Sequence, residues 1–329
     1  MKPSPIVPTV DFEQDGVQHG FLRLPWSRDE SAWGNLMIPI AVIRNGRGPT
    51  ALLTGANHGD EYEGPIALVD LARTVTRNDV RGRVIIVPFM NYPAFRAARR
   101  VSPIDGGNLN RLFPGRPDGT VSEKIADFFQ RTLLPMADFV LDLHSGGRTL
   151  DFLPFAACHA LEDKAQEARA IAARDAFSAP YAMTMLEIDA GGMYDTAAEA
   201  LGKVFVTTEI GGGGTSTGRT VAIARRGVRN FLIHAGILDG VAEHHASIEL
   251  DMPSADCFTF SESEGLLEPA VDLGAPVREG DVIARIHPID RLGAEPRDYR
   301  TKLGGILVAR HFPGLVGIGD SVAVVAVAS

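Results

Sequence analysis

The chain has 329 residues, 45% of them hydrophobic and 22% charged, with a formal net charge of −9. That is enough apolar material for a full core, in one large domain or two unequal ones, and the acidic balance argues against nucleic acid as a partner. Two cysteines, Cys158 and Cys257, exclude a disulfide framework and point to a reducing compartment. The first eight residues lack the apolar core of a signal peptide, and no run is long enough to cross a bilayer, so a soluble, cytoplasmic protein is expected.

In chain order, the first forty-odd residues read as an irregular lead-in ending in a strand over 37–43. Asn45-Gly46-Arg47-Gly48-Pro49 turns the chain into a short apolar strand, Thr50 to Thr54. Pro65 stands where a first helical residue belongs, with Leu68, Leu71, Ala72 and Val75 at helical spacing behind it. His58 and Glu61 therefore occupy a turn between a strand end and a helix start, where open α/β sheets collect their sites. An imidazole and a carboxylate three residues apart can face one cation, and mixed N/O ligands suit zinc. Two polar loop residues are the plainer reading of this pair alone, and a third ligand is needed to change it.

Residues 83–89 form a buried, β-branched strand. Between 96 and 116 lie Arg96, Arg99, Arg100, Arg111 and Arg116 against the single acid Asp105, a positive island in an acidic chain. Such an island attracts an anionic substrate. Within it Asn108-Leu109-Asn110-Arg111 sets amides beside a guanidinium suited to a carboxylate, and Arg100 is a candidate for stabilising an oxyanion. Solvated pairing with surface acids is the rival reading for Arg96, Arg99 and Arg116. Thr120 and Glu123 form a capping box for a helix burying Ile125, Phe128, Phe129 and Leu133.

The strand Phe139-Val140-Leu141-Asp142-Leu143 ends at His144, followed by Ser145-Gly146-Gly147. His144 supplies the third ligand. Three protein ligands with a fourth position open is the catalytic zinc pattern, distinct from the closed structural one. A helix follows over 162–177, then a strand from Lys203 to Thr208 ending at Glu209 and four glycines. An acid ending an apolar strand must be paired or functional. Zinc chemistry needs a carboxylate outside the ligand set to carry a proton to the leaving amine, and Glu209 fits. A last helix carries Val228, Phe231, Leu232, Ala235 and Leu238; His244-His245 reads as solvated.

Strands alternating with helices imply an α/β sheet with covered faces. Near residue 250 the pattern changes to short Gly-, Pro- and Val-rich segments with a degenerate repeat: 265–284 resembles 305–323, each strand, turn, strand, with Gly-Asp at the second turn. The expected organisation is a catalytic α/β domain over 1–249 and a small β-barrel or sandwich over 250–329 capping the site. The repeat is similar to a biotinyl/lipoyl barrel-sandwich, which would suit a non-catalytic docking module. Neither turn tip, Glu279-Gly280-Asp281 or Ile318-Gly319-Asp320, carries the lysine that a carrier needs.

His58-Gly59-Asp60-Glu61, Asn108-Leu109-Asn110-Arg111, Asp142-Leu143-His144 and Thr208-Glu209, in order, resemble the succinylglutamate desuccinylase/aspartoacylase family of the zinc carboxypeptidase-like clan. The resemblance implies a mixed sheet flanked by helices and one zinc ion per subunit on His58, Glu61 and His144. It also implies Glu209 as general base, Asn110 and Arg111 on a substrate carboxylate, and Arg100 at the oxyanion. The flanks Phe21–Ser27 and Ser31–Gly34 are similar to the branch that deacetylates N-acetyl-2,4-diaminobutyrate in ectoine breakdown. An amine-bearing substrate should need an acid, and Glu187, Asp189 and Asp195 are the candidates. The expected activity is therefore hydrolysis of a small N-acyl amino acid, with desuccinylase, aspartoacylase and carboxypeptidase activities as alternatives. The sequence leaves the oligomeric state open, a homo-oligomer included.

Overall fold

The computed structural model describes residues 2–185 and 191–328. Its centre is four parallel strands, in the order Gly82–Val87, Thr50–Gly55, Phe139–His144 and Val204–Glu209. All four are nearly continuous apolar runs, as strands covered on both faces must be. Alternate side chains go to opposite faces. Leu53, Ile86, Leu141 and Val206 meet the helices Glu63–Thr74, Lys164–Phe177 and Gly218–His234. Leu52, Ile85, Val140 and Phe205 meet Phe128, Phe129 and Tyr194 beneath the N-terminal segment.

The helix starts follow local chemistry. Thr217 and Thr120 close capping boxes, and the Asp163 side chain accepts from two backbone N–H groups of the helix it opens. The helix after the His58 turn begins at Glu63, two residues before Pro65; a first-turn proline loses no helical hydrogen bond.

The lead-in is not irregular. Gly16–Pro25 is a ten-residue strand paired antiparallel with Asn35–Asn45. Its outward face is solvated and Gly20 interrupts the alternation, which obscured it. The sheet becomes mixed on its far side, where Phe155–Cys158 runs antiparallel to Val204–Glu209 and is followed by Tyr181–Thr184 and Ile248–Asp251.

The repeat is visible in detail. Gly280 and Gly319 hold φ of +85° and +89°, and Asp281 and Asp320 each accept from the backbone N–H three residues earlier, at 2.8 and 2.7 Å. The halves exchange strands: Leu315–Val316 pairs with Gly265–Pro269, and Pro276–Val277 pairs with Gly305–His311. Two sheets thus share a core of Ile283, Ile286, Leu307, Val316 and Val325. One of them is continuous with the main sheet, because Ser321–Ala328 also pairs with Ile248–Asp251. Among the described residues no helix is long and apolar enough to cross a membrane.

Candidate active site

Parallel strands end on the same side of a sheet, and register decides which ends are neighbours. Glu209 pairs directly with His144, and Gly55 pairs with Leu143, so the turn holding His58 and Glu61 lies immediately beside them. That turn is pressed onto the helix Tyr92–Arg96. A Cβ on Gly59 would stand 2.0 Å from the backbone carbon of Ala94, so only glycine permits the approach.

His58, Glu61 and His144 are all buried, and their ligand atoms lie within 4.8 Å of one another. His58 Nδ1 is 2.8 Å from Glu61 Oε1, and His144 Nδ1 is 2.9 Å from Glu61 Oε2. The outer nitrogens face acceptors too: His144 Nε2 is 2.8 Å from Asp142 Oδ2 and His58 Nε2 is 3.2 Å from Asn108 Oδ1. With a cation between them, protons on Nε2 would satisfy those acceptors and leave both Nδ1 lone pairs free to face it beside the Glu61 carboxylate. Such an arrangement of converging acceptors demands a cation, and two imidazoles with one carboxylate fit zinc.

The electrostatics agree. Burial alone would lower the His144 pKa, but Asp142 and Glu61 outweigh it and raise it well above the usual value. Burial lowers that of His58. Burial would raise Glu61, yet the two histidines hold it well below the carboxylate range. Asp142 is itself fixed: Thr54 Oγ1 donates to it at 2.7 Å and Asn57 Nδ2 at 3.1 Å.

Glu209 borders the same cavity, and its Oε2 is enclosed without a hydrogen-bond partner among the described residues. Burial and then the charge of Glu61 push its pKa up to about 8, against the lowering effect of His144 and Arg100. The cavity, about 360 Å³, is also lined by Arg100, Asn110, Arg111 and Asp195, a volume suited to a small metabolite. Arg100 Nη1 is 3.9 Å from Glu61 Oε1. Asn110 is buried, with Oδ1 accepting from Tyr194 N at 3.1 Å, and Arg111 Nη1 donates to the Asn110 carbonyl at 2.8 Å.

The arginine island divides. Arg100 and Arg111 reach the cavity, whereas Arg116 pairs with Glu123 and Arg96 lies over the Tyr92 ring. Asn108, expected beside the substrate, has its side-chain oxygen turned to His58. His244 and His245 are exposed, the latter beside Glu243. Glu187 and Asp189 lie outside the described residues; Asp195 is buried at the cavity wall. The contact of Asp142 with His144 was not anticipated from the sequence, although an acid inside an apolar strand two residues before a candidate ligand histidine is a usable signal.

Residues 47–235 match the Succinylglutamate desuccinylase/Aspartoacylase catalytic domain. An N-alpha-acetyl-L-2,4-diaminobutyric acid deacetylase from Halomonas elongata is 59% identical over 327 residues, covering 99% of this chain and 96% of that protein. The product-bound structure of the ectoine utilization protein EutE (DoeB) from Ruegeria pomeroyi is 63% identical with a TM-score of 0.98, over 99% of this chain and 100% of that one. A succinylglutamate desuccinylase/aspartoacylase structure from Rhodobacter sphaeroides is 39% identical with a TM-score of 0.95, over 99% of both chains.

Proposed function

The chain belongs to the succinylglutamate desuccinylase/aspartoacylase family, and from that premise we propose that it is a zinc-dependent amidohydrolase that deacetylates N-alpha-acetyl-L-2,4-diaminobutyrate in ectoine breakdown. The likeness to the Halomonas elongata deacetylase and to the Ruegeria pomeroyi ectoine utilization protein supports the substrate. The observation that carries the chemistry is the convergence of His58, Glu61 and His144 with Glu209 on the neighbouring strand.

His58, Glu61 and His144 would hold the zinc. When bound, it supplies a Lewis acid that acidifies water and polarises the acyl carbonyl. Glu209 takes the proton of the attacking water and returns it to the departing amine nitrogen. With the Glu61 charge satisfied by a cation, the largest effect after burial that raises the Glu209 pKa is removed, and its carboxylate becomes available as base. Arg100, close to Glu61, offsets the charge developing on the carbonyl oxygen. Arg111 grips the substrate carboxylate, and Asn110, tied down by Tyr194, presents its amide beside it. Residues 250–329, joined to the main sheet through the pairing of Ser321–Ala328 with Ile248–Asp251, narrow the mouth, with Phe258 in the cavity wall, and this excludes long peptides.

Glu209→Gln is the test. Turnover of N-alpha-acetyl-L-2,4-diaminobutyrate should fall by about 10²–10⁴-fold with metal content unchanged. Activity within a few-fold of wild type would overturn the mechanism. A parallel assay on succinyl and aspartyl amides separates the acyl group.

A further inference from the structure

The described acids bordering the cavity are Asp142, Asp195 and Glu209. Asp142 is consumed by Thr54, Asn57 and His144, and Glu209 by proton transfer. Asp195 has no comparable duty. It is 7% exposed, and its hydrogen bonds among the described residues come from the backbone N–H and hydroxyl of Thr196, at 2.6 and 3.3 Å, both to Oδ1. The nearby His159 is paired with Glu199 at 3.1 Å. A buried carboxylate with an oxygen left over at a cavity wall calls for a cationic guest.

We infer that Asp195 receives the side-chain ammonium of the substrate and so selects an N-acyl diamino acid over its uncharged analogues. This assignment rests on the amidohydrolase function proposed above. The two ends of such a substrate would be read by two stitched segments. Asn110 Oδ1 accepts from Tyr194 N, and Phe113 N donates to the Gly192 carbonyl at 2.9 Å. Gly192, at φ +77°, sits so close to Arg111 that a Cβ there would lie 2.5 Å from its carbonyl oxygen. Tyr194 is wholly buried against Phe113, Phe129 and Phe205. The spacing between Arg111 and Asp195 is thereby rigid, as discrimination of a short diamino acid requires. Burial holds the Asp195 carboxyl above the usual range, consistent with an acid awaiting a partner.

The experiment compares kcat/KM for N-alpha-acetyl-L-2,4-diaminobutyrate with that for N-acetyl-L-norvaline, in which a methyl replaces the ammonium. Wild type should favour the diamino compound by at least about 30-fold. Asp195→Asn, which keeps the acceptor for Thr196, should lose that preference, chiefly through KM, while N-acetyl-L-norvaline turnover stays within about three-fold. An equal fall on both substrates, or no fall on the diamino compound, overturns the assignment. If the variant does not fold, calorimetry on wild type decides: 2,4-diaminobutyrate must bind at least about 30-fold tighter than norvaline, and equal binding overturns the assignment. Wild type inactive on both compounds would instead overturn the proposed function itself, and this assignment with it.

Discussion

Glu63 is the sharpest place to test the electrostatic reading of the site's foundations. It lies in the first turn of the helix behind the ligand turn, is 1% exposed, and accepts from Thr220 Oγ1 at 3.1 Å, while its Oε2 has no partner among the described residues. Burial pushes its pKa up to about 7 from 4.5, only partly offset by its own backbone N–H and the Thr220 hydroxyl. The folded protein therefore binds this proton more tightly than the unfolded chain. Its stabilising effect is complete below pH 4.5 and is lost as pH rises through about 7. At about 1.4 kcal/mol per tenfold in proton affinity, the difference amounts to about 3 kcal/mol by pH 8. Glu63→Gln keeps an acceptor for Thr220, puts a donor where Oε2 has no partner, and never ionises. Thermal and urea melts of chelator-treated protein should show the variant close to wild type near pH 5. At pH 8 it should be more stable by about 3 kcal/mol, a rise in Tm of roughly 5 °C. An advantage equal at both pH values, or a loss at pH 8, would refute the buried-acid argument.

Two further outcomes follow from the ligand shell and the cavity wall. Asp142→Asn removes the carboxylate that orients His144, so metal affinity measured by competition with a chelating dye should weaken by about 10–100-fold, and unchanged affinity would sink that role. Arg100→Gln should lower kcat by about 10²–10³-fold with metal content unchanged, and a pure KM effect would move Arg100 from the oxyanion to substrate binding.

That His58, His144 and Glu209 would come together was legible because each terminates or follows an apolar strand, and charged groups are conspicuous there. The turn chemistry of the C-terminal repeat was legible for a related reason, since Gly-Asp pairs carry their backbone conformation with them. Other features depend on partners distant in sequence. Asn108 reaches His58 across 50 residues, and Asn110 reaches Tyr194 across 84. No local pattern distinguishes an amide that grips substrate from one that braces a ligand or a loop. The strands Leu150–Phe152, Phe155–Cys158 and Tyr181–Thr184 are three or four residues long, too short to display a period. Pairing within the sheet, rather than propensity, makes them strands.

The most direct measurement is the zinc content of the purified protein alongside its deacetylase turnover, before and after chelation. About one zinc per chain is expected, with turnover lost on stripping and restored by zinc, and with His144→Ala deficient in both. Full turnover in protein free of divalent metal would contradict the account.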